Sequence, residues 1–267
     1  MFNLSNKSRS LVNIFGVPIM LYSIYSDNAF PIMVIVVLIF CSIEYSTLTT
    51  LLGARINRYI FLIVNLMIFI NALMNYIRGL DLLILVFLFL FIYEMLFNKD
   101  SSVLNISYYI LGFFWIGICL CSSLIYLRGI ENGMFLTYLL FVSTWICDTF
   151  AFIFGSKFGN HKILPNISPK KTWVGCFSGF IGVIIIILTL YMYNYTYNMT
   201  NMNLLMFCLI LGIVGQIGDF GESFIKREAN VKDTSNILMG HGGFLDRFDS
   251  ISFAAPLFYL YILYFIN

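Results

Sequence analysis

Long, continuous runs of apolar residues, separated by short polar stretches, are the dominant pattern along the chain. A helix that crosses a bilayer needs about 20 such residues, within a range of about 17–25. Because the runs do not alternate with polar residues, they favour membrane helices over a transmembrane barrel. The pattern predicts nine transmembrane helices, at 10–26, 29–51, 60–77, 81–97, 105–127, 133–155, 174–193, 203–222 and 250–266.

The composition points in the same direction. Hydrophobic residues make up 60% of the 267 residues and charged residues only 10%, whereas an average soluble domain is about 45–50% apolar and about 25% charged. So little polar surface cannot cover a globule in water. The composition therefore excludes a soluble globular protein, a disordered chain and a nucleic-acid-binding module, and it predicts an all-α polytopic membrane protein.

The basic residues lie almost entirely on one side of the predicted membrane. With a cytoplasmic N-terminus, the inner segments hold all of the 15 Lys and Arg residues except Arg78 and Arg128, as the positive-inside rule requires. The first span follows Lys7 and Arg9, as the apolar part of a signal peptide does, but no small-residue cleavage site follows it. Because the charge count holds only if this span remains in the protein, we expect it to be an uncleaved transmembrane helix. We expect the C-terminus to lie on the outer side of the membrane. Because the sequence shows no transit extension, we expect the protein to reside in a bacterial inner membrane.

Five acidic residues fall within the predicted spans, where ionisable side chains are costly and therefore mark candidate functional positions. At about 1.5 Å per helical residue, all five lie in the cytoplasmic third of the bilayer. They are Glu44, Glu94, Asp148, Asp219 and Glu222. For Glu44 and Glu94, a side chain that reaches towards the interface is an equally good interpretation.

Further charges follow helical spacing beside these acids. One set has the i, i+3, i+4, i+7 spacing of a single helix face, and it comprises Asp219, Glu222, Ser223 and Lys226. Asp246 and Asp249 are three residues apart at the start of the last span. Carboxylates clustered with Lys and Arg near the inner surface indicate a metal–phosphate site.

Two segments offer donors for an anionic ligand. His241, Gly242 and Gly243 precede the last span, and paired glycines allow backbone N–H groups to approach an anion closely, although a turn between helices explains them equally well. The loop 157–173 carries five basic residues and no acid: Lys157, His161, Lys162, Lys170 and Lys171. Within it, the run from Ser168 to Thr172 combines two ammonium and two hydroxyl groups, which suits phosphate oxygens. Contact with anionic lipid is the alternative interpretation.

Two blocks of this sequence resemble the phosphatidate cytidylyltransferase, or CDP-diacylglycerol synthase, family. The first, Ser223 to Asp249, reads SFIKREANVKDTSNILMGHGGFLDRFD. The second runs from Asp148 through GSKFG at 155–159 to SPKKTW at 168–173. The resemblance covers roughly 140–255, and the N-terminal half matches mainly in hydropathy and in Glu44. Met239 stands where the family usually has Pro, and Val174 stands where it usually has Glu.

The resemblance implies that CTP and phosphatidate, a membrane lipid, give CDP-diacylglycerol and pyrophosphate with Mg²⁺ as cofactor. It suggests one or two metal ions held by Asp219, Asp246 and Asp249, with Asp148 a weaker candidate. The residues implied to act on phosphate are Ser168, Lys170, Lys171, Thr172, Ser223, Lys226, Arg227, Lys232, His241, Gly242, Gly243 and Arg247. His241 is expected to orient the loop or a phosphate rather than to act as a base. Arg227, Lys232 and Asp233 suit loop ion pairs equally well.

The resemblance also suggests how the chain is organised. The two long loops, 156–173 and 223–249, both belong to a C-terminal catalytic region over 131–267, with its active site facing the cytoplasm. The N-terminal helices over 1–130 are expected to pack, to contact lipid and to contribute to a homodimer.

Three alternatives stay open on the sequence. One is a related CTP-dependent enzyme with another lipid acceptor, such as a CDP-archaeol-type synthase or a polyprenol kinase. Another is a transporter, with the intramembrane acids as an ion path. The third is a catalytically impaired relative, suggested by Val174.

Overall fold

The computed structural model describes residues 4–97, 102–195, 199–238 and 242–266, with the backbone alone for 4–13 and 102. These residues form nine helices: α1 Leu4–Tyr25, α2 Ala29–Leu51, α3 Arg58–Met74, α4 Gly79–Phe97, α5 102–129, α6 Gly133–Phe158, α7 Trp173–Met192, α8 Asn201–Glu228 and α9 Leu245–Phe265. The described part contains no β-strand, only an isolated bridge between Lys162 and Thr172. The predicted all-α membrane fold is confirmed.

The helices differ in how well they suit a bilayer. Seven are long and apolar enough to cross one, namely α2 and α4 to α9. The apolar part of α1, Ile14–Tyr25, and the whole of α3 are shorter than this length. That α1 and α3 also cross the membrane therefore stays a prediction, as does the orientation of the termini.

Two helices widen locally into π-helical turns, at Phe113–Ser122 within α5 and at Ile210–Val214 within α8. In α5 the wide turn is stabilised by the Ser122 hydroxyl, which donates to the carbonyl of Gly117 at 2.8 Å. The same turn directs the Trp115 indole towards α9, where it donates to Ser252 at 2.8 Å. Such turns often accompany functional sites, and here they fit α5 and α8 against the last helix.

Helix α9 packs one face into the bundle and contacts α2, α5, α6 and α8. This buried face includes Leu245, Phe248, Ile251 and Phe258, each almost without solvent contact. The Phe248 ring meets that of Phe141 edge-on, with 6.3 Å between centroids. Because most of its first two turns are buried, the start of α9 is held among the helices that carry the acidic residues.

Helices α6 and α7 are packed closely along a row of glycines. A Cβ atom on Gly179 would lie 2.8 Å from the carbonyl oxygen and 3.0 Å from the sulfur of Cys147. A Cβ atom on Gly175 would likewise come close to Gly155, and one on Gly182 would come close to Phe150. Small residues let membrane helices approach and gain dispersion contacts, so this interface places the 159–172 loop against the end of α6.

We expect Gly179→Ala to destabilise the protein, because the added methyl group has no space between α6 and α7. Overpacking of this kind costs about 1–3 kcal/mol, and thermal melting in detergent would measure it. Gly16→Ala in α1 is the matched control, since a Cβ there meets nothing within 4 Å. Equal melting temperatures for Gly179→Ala and the native protein would contradict the packing argument.

Candidate active site

Three aspartates from three helices form an acidic group, comprising Asp148 of α6, Asp219 of α8 and Asp249 of α9. Asp249 is buried, and the charges of Asp219 and Asp148 both act on it. Gly218 allows this proximity, because a Cβ there would lie 2.6 Å from the Asp249 carbonyl oxygen. The sequence predicted Asp219 and Asp249 as metal ligands and Asp148 as a weaker candidate, and the structure places the three close enough for their charges to interact.

Two cations face the acidic group. Lys171 forms an ion pair with Asp219, and its ammonium also lies 4.1 Å from the centre of the Phe220 ring. Arg247, an exposed residue in the first turn of α9, is close enough for its charge to act on Asp148. The 159–172 loop is thereby tied to α8, and positive charge borders the carboxylates.

A second charged cluster is more completely buried in the protein, and Lys226 lies at its centre. The Lys226 ammonium donates to Glu222 and to Asp246, at 2.6 Å each, and all three side chains are at most 9% exposed. The sequence predicted Lys226 as a phosphate contact. Instead, its ammonium joins α8 to α9, because both partner carboxylates are buried beside it.

Asp246 makes several contacts within the protein. Its Oδ1 atom accepts from Lys226, while its Oδ2 atom accepts from the amides of Gly243 at 2.6 Å and Thr234 at 3.0 Å and lies 2.9 Å from the Thr234 hydroxyl. A carboxylate offers about four acceptor positions, two on each oxygen, so Oδ1 keeps one of them. The contacts of Asp246 organise the preceding loop, and its metal role stays a prediction.

Glu44 reaches the same loop from α2. Its side chain is buried and accepts from the Ser235 and Thr234 hydroxyls and from the amides of Phe244 and Leu245, at 2.6–3.1 Å. The interpretation of Glu44 as reaching towards the interface is therefore wrong. Two features of the sequence mark Glu44, namely a lone acid within an apolar helix and its match to the family, whereas none marks Thr234.

The other intramembrane glutamate of the N-terminal half, Glu94, belongs to a different network. It is buried and accepts from the Asn105 side chain at 2.9 Å. Asn105 in turn accepts from the amide of Arg55 at 2.7 Å. Glu94 thus supports the packing of α4 and α5 beside the α2–α3 connection, and it is not directed at the interface.

The two glycines shortly before α9 lie where a larger side chain would collide with its neighbours. Gly242 has φ +80°, and a Cβ there would lie 2.6 Å from an Asp246 oxygen, while a Cβ on Gly243 would collide with Glu44 and Thr234. Both glycines are buried, and the Gly243 amide already donates to Asp246. The structure therefore places them in loop packing, whereas the sequence predicted phosphate donors. His241 lies outside the described residues.

The remaining candidates differ in their contacts and in their exposure to solvent. Thr172 and Arg227 make internal contacts: the Thr172 hydroxyl accepts from the Gly175 amide at 3.1 Å and caps α7, and Arg227 donates to the carbonyls of Ile167 and Val231 at 3.0 and 2.8 Å. Ser223 is buried and Ser168 half-buried. The exposed residues nearby are Lys157, His161, Lys162, Lys170, Val174, Lys232 and Asp233.

Part of this site suits a divalent cation. No three Asp, Glu, His or Cys side chains are grouped as ligands of one metal within the residues that the structure describes. Even so, Asp148, Asp219 and Asp249 supply the hard oxygen donors that Mg²⁺ prefers. The Glu222 Oε1 atom nearby is buried without a hydrogen-bond partner among those residues. A cation beside these acids would relieve their mutual repulsion.

Comparison with known proteins gives a family for the chain. The model of the "Cytidylyltransferase family" matches residues 7–265. A phosphatidate cytidylyltransferase of Rickettsia typhi is 40% identical over 167 residues, which cover 61% of this chain and 72% of that protein. Its counterpart in Staphylococcus haemolyticus is 36% identical over 165 residues, 62% of each chain, so the match spans less than two thirds of that relative. Since the family model matches nearly every residue, the chain belongs to the cytidylyltransferase family.

Proposed function

We propose that the chain is a membrane-embedded phosphatidate cytidylyltransferase that makes CDP-diacylglycerol and pyrophosphate from CTP and phosphatidate. The observation that carries this proposal is the pairing of three neighbouring aspartates, of which Asp249 is buried, with Lys171 and Arg247 at one end of the bundle. The relatives that bear this name support the choice of substrates.

The reaction joins two polyanions. A phosphate oxygen of phosphatidate attacks the α-phosphorus of CTP, and the bond from that phosphorus to the bridging oxygen breaks, so pyrophosphate leaves with the electron pair. The second pKa of a phosphomonoester is near about 6, which makes the nucleophile largely dianionic at neutral pH. No general base is needed, and the site has to position and neutralise charge.

The site residues divide this work. Asp148, Asp219 and Asp249 are suited to hold Mg²⁺, which when bound neutralises phosphate charge. Lys171 and Arg247 border these acids and are suited to contact the phosphates. Lys226, Glu222, Asp246 and the glycines instead maintain the shape of the site, because Lys226 pairs with both carboxylates and the Gly243 amide donates to Asp246.

The location of the site suits both substrates. We place this end of the bundle at the cytoplasmic surface of a bacterial inner membrane, following the distribution of basic residues. CTP then arrives from the cytoplasm, and phosphatidate presents its phosphate at the interface while its acyl chains stay in the bilayer.

Purified native protein with CTP, phosphatidate and Mg²⁺ is expected to release CDP-diacylglycerol and pyrophosphate in equal amounts. Asp219→Asn should lower kcat by roughly 10²-fold or more, since it removes charge at the proposed cation position. Asp81→Asn, at the exposed start of α4, is the matched control and should retain native kcat. Product from another lipid acceptor but none from phosphatidate would overturn the choice of substrate, and no product from any lipid would overturn the enzyme.

Lys226→Ala is expected to lower stability as well as activity, because it leaves two buried carboxylates without their counter-ion. Breaking a buried pair in this way costs about 3–5 kcal/mol. Lys170→Ala removes an exposed ammonium and should leave the melting temperature unchanged. If Lys226→Ala melted like the native protein and lost only CTP affinity, Lys226 would be a phosphate contact after all.

A further inference from the structure

The first turn of α9 lacks a cap from its own segment. The initial N–H groups of a helix have no partner within the helix, and the residue before α9, Phe244, makes no side-chain capping bond. The amides of Phe244 and Leu245 instead donate to Glu44, at 2.9 and 2.8 Å. A carboxylate at this position also interacts favourably with the helix dipole. Glu44 therefore caps α9 from a helix that lies 200 residues earlier in the chain.

The same carboxylate holds the loop that leads into α9. Its two oxygens accept from the hydroxyls of Ser235 at 2.6 Å and Thr234 at 3.1 Å. The space is so closely filled that a side chain on Gly243 would meet Glu44 directly. Both ends of the segment 234–245 are thus attached to one buried group.

These contacts continue into the charged cluster. The Thr234 hydroxyl lies within hydrogen-bond distance of Glu44 and of Asp246, and Asp246 pairs with Lys226. One connected set of polar contacts consequently runs from α2 through the loop to α9 and α8. Arg247 follows Asp246 in the first turn of α9 and borders the acidic group, and Asp249, one turn after Leu245, belongs to that group.

We propose that Glu44 is a positioning residue, which by capping α9 and anchoring Thr234 and Ser235 in the preceding loop holds Arg247 and Asp249 in place for cytidylyl transfer. Glu44 does not contact the acidic group itself through any of these bonds, so it acts through the loop and the helix. The kinetic part of this proposal rests on the proposed function, whereas the structural part does not.

Glu44→Gln keeps the shape of the side chain but places an NH₂ group where two donors converge. We expect hydrogen exchange of the amides of 234–238 and of Phe244 and Leu245 to accelerate at least about tenfold, with kcat reduced about 10–100-fold, as slight misplacement of reacting groups produces. The KM for CTP should change less than kcat. Glu94→Gln is the matched control, a buried glutamate bonded to Asn105, and should leave exchange in 234–245 at the native rate.

A double-mutant cycle separates positioning from general destabilisation. Ser235→Ala should lower kcat in the native background but have little further effect in Glu44→Ala, because the two side chains share one hydrogen bond. Native exchange rates in 234–245 of Glu44→Gln, acceleration spread equally over all helices, or additive effects in the cycle would each overturn the proposal. Absence of transfer by the native protein would overturn only the proposed function, since the exchange measurement does not depend on it.

Discussion

The pairing of Lys226 with Glu222 and Asp246 is the interaction on which the arrangement of the site depends. A charge in a low-dielectric interior is costly unless it is paired and hydrogen-bonded, and all three side chains are nearly inaccessible to solvent. One ammonium between two carboxylates therefore fixes α8 against α9. With these helices fixed, Asp219 and Asp249 are held beside each other.

The close packing of helix backbones is the second feature on which the arrangement of the site depends. Gly218 brings α8 onto α9 at Asp249, and Gly179 brings α7 onto α6. Without these glycines, the acidic residues of three helices would be separated by side chains. The apolar bundle thus determines which carboxylates face one another, while the loops bring Lys171 and the first turn of α9 to them.

The sequence predicted the helices well because their signal is local: each long apolar run became one helix. Counting residues also predicted that Asp148 and Asp219 lie at one depth near the start of α9, and the structure places both where their charges act on Asp249. The same count put Glu94 at this depth, although it belongs to another network. The sequence did not predict that Lys226 and Asp246 bind each other, because spacing along a helix does not tell whether a charge faces a ligand or a neighbouring side chain. The contact of Glu44 with α9 depends on how α2 is rotated within the bundle, which the sequence of α2 alone does not encode.

The cap that α2 provides for α9 bears on how the chain can be divided. A boundary at residue 130 leaves every predicted metal and phosphate residue in the fragment 131–267, yet it removes the acceptor for the amides of Phe244 and Leu245. Such a fragment would carry the chemistry and lack the group that orients it. The N-terminal helices therefore contribute a contact on which the start of the last helix depends.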